Sequence, residues 1–262
     1  MTDTSTTGLP DLRPVLAEQR HPLVFATVSG AHLYGFPSRD SDIDLRGAHL
    51  LPVEDLIGLR EGEETSTRMW DRDGVEMDLV THDLRKFARL MLKRNGYVLE
   101  QLLSPLVVHT TGTHAELTAL APAVLTRHHA HHYRGFAGTQ WRLYGKTGRL
   151  KPLLYTFRAL LTGIHLMRAG EVCAHLPTLL GTVPEAPPYL PELIEAKAGA
   201  EHAPVPGGQD GPDAGRVRGD VEALHTVLEE ARAASRLPDG LPGSSVRGAL
   251  HDLVVRARRS PG

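Results

Sequence analysis

Two aspartates separated by one residue, Asp42 and Asp44, are the side chains of this chain best suited to chemistry. They lie in an apolar run, and side chains alternate along a strand, so both carboxylates are predicted to project from one face. Adjacent carboxylates repel each other and favour a divalent cation between them. Oxygen ligands of this kind suit Mg²⁺ or Mn²⁺ better than Zn²⁺. The pair therefore predicts a site for a hard divalent metal ion.

A glycine turn precedes this pair. Ser29 and Gly30 follow the apolar run Leu23–Val28, and such a turn leaves backbone N–H groups available to a phosphate. Arg46 shares the face of the pair and is expected either to contact phosphate or to neutralise the carboxylates. A turn that binds phosphate beside a pair that binds metal is the minimum needed to transfer a nucleotidyl group. We expect a nucleoside triphosphate to lie with its phosphates along Ser29, Gly30 and the first metal ion, with Arg46 as a candidate contact.

A third carboxylate is expected, because two-metal sites usually need one to orient the attacking hydroxyl. Glu76 and Asp78 share one face of a later apolar run. Asp78 lies deeper in that run and is the preferred candidate, with Glu76 as the alternative. Asp42, Asp44 and Asp78 would then be the catalytic metal ligands, and Asp78 could also accept the proton of the acceptor hydroxyl.

These residues fall in a predicted mixed αβ region. Strands are predicted at 23–28 and 42–51, with a connection at 30–41. A hairpin is predicted from 65–70 and 75–80, because Asp73-Gly74 is a strong turn signal. The spacing of apolar residues then becomes helical, and the predicted helices are 12–20, 53–59, 83–93, 97–103, 113–120, 128–145, 151–169, 189–198, 216–236 and 243–259. No strand is predicted beyond residue 110, and 199–215 is predicted to be a flexible loop. The fold class is α+β, with a boundary near residue 108.

Charge is distributed unevenly, although the net charge is only −2. No acidic residue lies between Glu116 and Glu171. The basic residues of that interval are Arg127, Arg134, Arg142, Lys146, Arg149, Lys151, Arg158 and Arg168. This asymmetry favours a surface for a polyanion, and Lys146, Lys151 and Arg158 are candidate contacts for a triphosphate or for RNA phosphates. The basic region 127–168 therefore predicts an RNA partner.

The composition limits which classes of site and of protein remain possible. Of the 262 residues only Cys173 is a cysteine, which excludes an internal disulfide and a zinc site built on cysteines. The first twenty residues lack the apolar segment of a secretory signal, and no apolar run approaches the roughly 20 residues of a membrane span. We expect a soluble, cytoplasmic protein with no membrane partner. The oligomeric state is left open.

The order of motifs resembles the nucleotidyltransferase superfamily of DNA polymerase β and, more narrowly, its predicted RNA-repair members, the RlaP family. The matching segments are Ser-Asp-Ile-Asp-Leu-Arg-Gly at 41–47, Asp-Leu-Arg-Lys-Phe at 83–87, Leu-Glu-Gln-Leu-Leu at 99–103, His-His-Tyr-Arg-Gly-Phe-Ala at 131–137 and the helix 151–158. The resemblance implies a palm-like nucleotidyltransferase domain at 20–108 and a helical domain at 109–262 that binds substrate or nucleotide. It also implies Mg²⁺-dependent (or Mn²⁺-dependent) transfer of a nucleotide from an NTP to an acceptor hydroxyl, with an RNA end as the expected acceptor.

One position departs from the superfamily pattern. Gly30 is followed by Ala31, where the superfamily usually has serine or glycine, so the hydroxyl that would touch a terminal phosphate is missing. Ser29 is the candidate substitute. Two other functions stay open: nucleotidyl transfer to a protein or small molecule, and non-catalytic binding of a nucleotide or RNA. The sequence does not choose the base of the NTP or the acceptor.

Overall fold

The computed structural model describes residues 9–57, 59, 62–199, 212–241 and 245–259. Its N-terminal part contains a five-stranded mixed sheet. The strands in chain order are β1 (Leu23–Val28), β2 (Ile43–His49), β3 (Thr65–Arg72), β4 (Val75–Asp83) and β5 (Val107–His109). Their order across the sheet is β3-β4-β2-β1-β5. Strands β2 and β4 run parallel, and the other neighbouring pairs are antiparallel. The parallel pair lies at the centre and aligns residues of the two strands side by side.

Helices account for most of the rest of the chain. They are α1 (Arg13–Ala17), α2 (Gly30–Tyr34), α3 (Glu54–Ile57), α4 (Leu84–Met91), α5 (Gly96–Leu102), α6 (Gly112–Val124), α7 (His129–Thr147), α8 (Leu150–Ala169), α9 (Leu176–Thr182), α10 (Leu190–Ala198), α11 (Ala214–Ala234) and α12 (Ser245–Arg259). Within the described ranges no strand follows β5. The predicted α+β class, a mixed sheet followed by helices, is confirmed.

Local sequence explains the hairpin between β3 and β4. Asp73 and Gly74 adopt φ values of 56° and 80°, which glycine tolerates easily and aspartate better than most residues. Asp71 accepts a hydrogen bond from the Gly74 N–H at 3.1 Å and closes the turn. The hairpin predicted from Asp-Gly is confirmed.

Three short elements differ from the sequence-based prediction. The connection predicted at 30–41 contains α2, a five-residue helix that is too short to show an apolar periodicity. Strand β5 has only three residues and pairs with β1 at the sheet edge. Helix α9 was not predicted because a proline stands at its start and a glycine near its end. The loop predicted at 199–215 lies largely outside the described residues.

The hydrophobic core is centred on α8. Fifteen of its twenty residues are buried, so the helix is enclosed on nearly every side. One apolar cluster includes both Phe25 of β1 and Phe157 of α8, and it therefore crosses the predicted boundary at residue 108. Arg258 of α12 ties the end of the chain to the sheet, because its guanidinium donates to both oxygens of the buried Asp83 at 2.7 and 2.6 Å. The division into two domains stays a prediction.

Within the described ranges, no helix combines the length and the apolar character that crossing a bilayer requires.

Candidate active site

The parallel register of β2 and β4 places two of the predicted acids side by side. Asp44 pairs with Asp78 across the strands, and their side chains are 16% and 20% exposed. Asp42 immediately precedes β2 and is partly exposed. Glu76, the alternative to Asp78, is exposed and pairs with Asp71 on the hairpin. The structure thus brings Asp78, rather than Glu76, next to Asp44.

The glycine turn lies directly against this pair. Gly30 has a φ of 60°, and a Cβ atom at this position would overlap Oδ2 of Asp44. A side chain here would therefore be strained by the backbone conformation and would collide with the carboxylate. Ser29 is fully buried, and its N–H donates to the Asp44 carbonyl oxygen at 2.8 Å. The turn is consequently attached to β2 at Asp44 itself.

Arg46 joins the two carboxylates. Its Nη2 donates to Oδ1 of Asp44 at 2.5 Å and to Oδ2 of Asp78 at 2.7 Å. Its Nη1 donates to the carbonyl oxygens of Leu45 and Asp78, and its Nε donates to the Tyr97 hydroxyl at 3.1 Å. All five N–H donors of the guanidinium therefore have acceptors. Of the two roles expected for Arg46, the structure shows contact with the carboxylates.

Electrostatics at Asp44 are dominated by burial. Burial raises the pKa of Asp44 to about 6, the Arg46 guanidinium opposes this rise, and the Asp42 and Asp78 carboxylates reinforce it. The Lys151 ammonium also lowers the pKa of Asp44. A carboxylate with a raised pKa is one that a further cation would stabilise in its charged form.

The donor chemistry of the three aspartates fits Mg²⁺ or Mn²⁺, because both ions prefer carboxylate oxygens. The raised pKa of Asp44 agrees with a requirement for added positive charge. Within the described part of the chain, however, no three His, Cys, Asp or Glu side chains are gathered closely enough to hold a metal ion. Two of the carboxylates instead share the guanidinium of Arg46.

The three basic residues that were predicted to contact phosphates differ in their exposure and surroundings. Lys146 is exposed in the last turn of α7. Lys151, in the first turn of α8, is partly buried and acts on Asp44. Arg158 is only 2% exposed, and its Nη1 donates to Oε1 of the buried Glu100 at 2.8 Å. The structure therefore places Lys151 by the aspartates, whereas the guanidinium of Arg158 is enclosed in the core.

Tertiary ion pairs neutralise much of the basic region 127–168. Arg127 pairs with Asp239, Arg134 with Glu229 and Arg168 with Glu185. The acids come from other parts of the chain, so a count of charge along the sequence overstates the free positive charge. At the junction of α7 and α8, the exposed Lys146 and Arg149 lie close in sequence to the partly buried Lys151.

Sequence reasoning missed Tyr97, the partner of Arg46 Nε. Asn95 caps α5 by accepting from the Tyr97 N–H at 3.0 Å, and this fixes the start of the helix that carries the tyrosine. The Asn-Gly pair that begins α5 is visible in the sequence. The distance between Tyr97 and Arg46 is not, because it depends on how α5 packs against the sheet.

A cavity of about 650 Å³ opens beside α2. His32 lines it, together with Ser104, Cys173 and His175. Burial lowers the pKa of His32, and the nearby Asp42 carboxylate opposes this effect. The histidine therefore faces both the cavity and the first aspartate. Helix α2 thus lies between Asp44, which is adjacent to its first residue, and the cavity on its flank.

Comparison with known protein families agrees with this geometry. Residues 5–255 match the model of RlaP, described as the RNA repair pathway DNA polymerase beta family. The chain belongs to this family. This assignment confirms the suspected resemblance to the RlaP family.

Two curated proteins are similar to the chain. The uncharacterized protein MJ0002 of Methanocaldococcus jannaschii is 32% identical over 154 residues, which cover 56% of this chain and 61% of the archaeal protein. The uncharacterized protein YcgL of Bacillus subtilis is 28% identical over 193 residues, which cover 68% of this chain and 71% of the bacillar protein. The match thus spans less than two thirds of the archaeal relative's length.

Proposed function

We propose that the chain transfers a nucleoside monophosphate from an NTP to an acceptor hydroxyl, with an RNA end as the acceptor. The observation that carries the proposal is the alignment of Asp44 with Asp78 beside the Gly30 turn: the two aspartates lie far apart in sequence but are adjacent in the sheet. Membership of the RlaP family supports the same chemistry.

Each residue of the site has a role in this proposal. Asp42, Asp44 and Asp78 would hold Mg²⁺ or Mn²⁺, which when bound supplies charge stabilisation at the α-phosphate and activates the attacking oxygen. Asp78 accepts the proton of the acceptor hydroxyl. Backbone N–H groups at the Gly30 turn contact the phosphates, since the first N–H groups of a helix have no partner within it. In-line attack forms the new P–O bond as the bond to pyrophosphate breaks.

The acceptor is inferred from the cations at the α7–α8 junction. Lys151 acts electrostatically on Asp44, and Lys146 and Arg149 lie close to it in a segment of the sequence that contains no acidic residue. Phosphates of an RNA strand or of the NTP would be stabilised there. Arg158 is left out of this contact set because its charge is compensated by Glu100. A protein or small-molecule acceptor is the second candidate, since the same cations would serve the triphosphate alone.

The test incubates the full chain with each of the four α-labelled NTPs, Mg²⁺ or Mn²⁺, and total RNA. The expected result is label on RNA ends that is lost in the double variant Asp42→Asn/Asp44→Asn. Label on the protein fraction or on a small molecule would support the second candidate. Absence of label from every acceptor, with folded protein and either metal, would contradict both and favour a binding role.

A further inference from the structure

Arg46 stands at the position where a bridging cation would be most stabilised. Its Nη2 lies 2.5 Å from one oxygen of Asp44 and 2.7 Å from one oxygen of Asp78. The other oxygen of Asp44 faces Gly30 closely enough that a Cβ there would overlap it. A metal ion shared by Asp44 and Asp78 would therefore meet the guanidinium at the same carboxylates.

The guanidinium is held in place from three elements. Two of its bonds go to backbone carbonyl oxygens of β2 and β4, and a third goes to the Tyr97 hydroxyl of α5. The residue is 8% exposed, so solvent screens its charge poorly. It is thus a fixed charge of the protein rather than a surface side chain that can turn away freely.

We propose that Arg46 is a resident counter-cation that competes with a divalent metal ion for Asp44 and Asp78. The inference rests on the proposed function in that it takes these aspartates as the metal ligands. Arg46 neutralises the carboxylates when no metal ion is bound, and it lowers their affinity for one. A triphosphate would relieve the competition, because its negative charge offers the guanidinium another partner.

The opposite role for Arg46 would be to orient the carboxylates for the metal. Partners that orient a ligand typically strengthen metal binding by about 10–100-fold. The two roles therefore predict opposite signs when the guanidinium is removed. Competition is favoured here because Nη2 contacts both carboxylates at once and like charges at such short range repel strongly in a buried site.

The test measures Mn²⁺ binding to the full chain without nucleotide, by electron paramagnetic resonance of the free ion. We expect Arg46→Met to bind Mn²⁺ at least about tenfold more tightly than the wild type, the inverse of the change typical of an orienting partner. Adding Asp78→Asn to this variant should abolish the gain. The matched control is Arg68→Met, which removes an exposed cation on β3 that pairs with Glu18, and its affinity should equal that of the wild type.

Tyr97→Phe keeps the test decisive if Arg46→Met does not fold. It removes the acceptor of Arg46 Nε and leaves the charge in place, so a smaller tightening of about two- to threefold is expected. Unchanged or weaker Mn²⁺ binding in whichever variant folds would overturn the proposal. Because no transfer is measured, failure of the proposed reaction and failure of this inference are separate outcomes.

Discussion

Two arginine–carboxylate arrangements in this molecule differ in their balance of charge. In the core, Arg158 faces one acid, Glu100, and the two side chains are 3% and 1% exposed. At the site, Arg46 faces two acids, Asp44 and Asp78, and the three side chains are 10–20% exposed. The first arrangement is electrically neutral and closed to solvent. The second carries excess negative charge and can be reached from outside.

This difference separates a structural ion pair from a reactive one. The core pair is completed by Tyr34, whose ring lies 3.9 Å from the Arg158 guanidinium and whose hydroxyl donates to Glu100 at 3.2 Å. Removal of one partner leaves a buried charge, which is costly. At the site, Asp42 adds further negative charge beside Asp44. A site with too little positive charge for its carboxylates favours the binding of a further cation.

The largest expected effect concerns the arrangement of Arg46 with Asp44 and Asp78. Asp78→Asn should lower the rate of nucleotidyl transfer at least about a thousandfold, which corresponds to about 4 kcal/mol, because the proposed metal ligand and proton acceptor is lost. Glu76→Gln is the matched control on the same strand and should change the rate less than about threefold. The measurement is initial-rate transfer of label from the accepted NTP. An equal loss in both variants would remove Asp78 from the mechanism.

For the Arg158–Glu100 pair in the core, we expect a substitution to reduce stability instead. Glu100→Gln keeps the shape of the side chain but leaves the Arg158 charge unpaired, and it should reduce the free energy of unfolding by about 3–5 kcal/mol. For a chain of this size the melting temperature falls by roughly 10 °C. The double variant Glu100→Met/Arg158→Met should recover part of the loss. If the single variant melted like the wild type, the pair would not be the structural one described here.

The site was more predictable from sequence than its surroundings. Short-range patterns, namely alternation along strands and a glycine after an apolar run, identify Asp42, Asp44, Asp78 and Gly30. The register that brings Asp44 to Asp78 agrees with that prediction. The hairpin followed from the Asp73-Gly74 turn signal. These features depend on neighbours in sequence, which is why they could be recognised.

Long-range pairing was beyond such patterns. Arg158 looked like a phosphate contact because its segment contains no acid, but Glu100 lies 58 residues away in sequence and packs against it. Ser29 was a candidate phosphate contact because it precedes a glycine turn, yet its side chain is fully buried. Both outcomes depend on how helices pack on the sheet, and charge or turn chemistry alone does not contain that information.

Protonation of His129 and protonation of Asp44 should change the stability of the protein in opposite directions. Burial lowers the pKa of His129, at the start of α7, to about 4, against 6.5 for an unperturbed histidine. Its folded pKa is depressed, so protonation favours unfolding: the full stability is present above pH 6.5 and is lost as the pH falls towards 4. The expected loss is about 2–3 kcal/mol. Asp44 acts in the opposite direction, because its raised pKa makes protonation near pH 6 favour the folded state.

Urea unfolding of the wild type and of His129→Gln from pH 7.5 to 4.5 measures this contribution. The glutamine variant should show a shallower decline in the free energy of unfolding as the pH falls, since it has no group to protonate at that position. Parallel declines in the two proteins would show that His129 does not contribute to acid sensitivity.

The smallest effect is expected where an ion pair has good geometry but lies at the surface. Arg168 donates to both oxygens of Glu185 at 2.9 and 2.7 Å, and the two side chains are 42% and 38% exposed. Because water screens these charges, the coupling free energy from a double-mutant cycle with Arg168→Ala and Glu185→Ala should be below about 1 kcal/mol and should shrink with added salt. The hydrogen-bond lengths are similar to the 2.8 Å of the core pair, whereas the exposure of the two pairs differs strongly. A coupling as large as that of Glu100 and Arg158 would mean that geometry, rather than burial and charge balance, sets the difference between the regions.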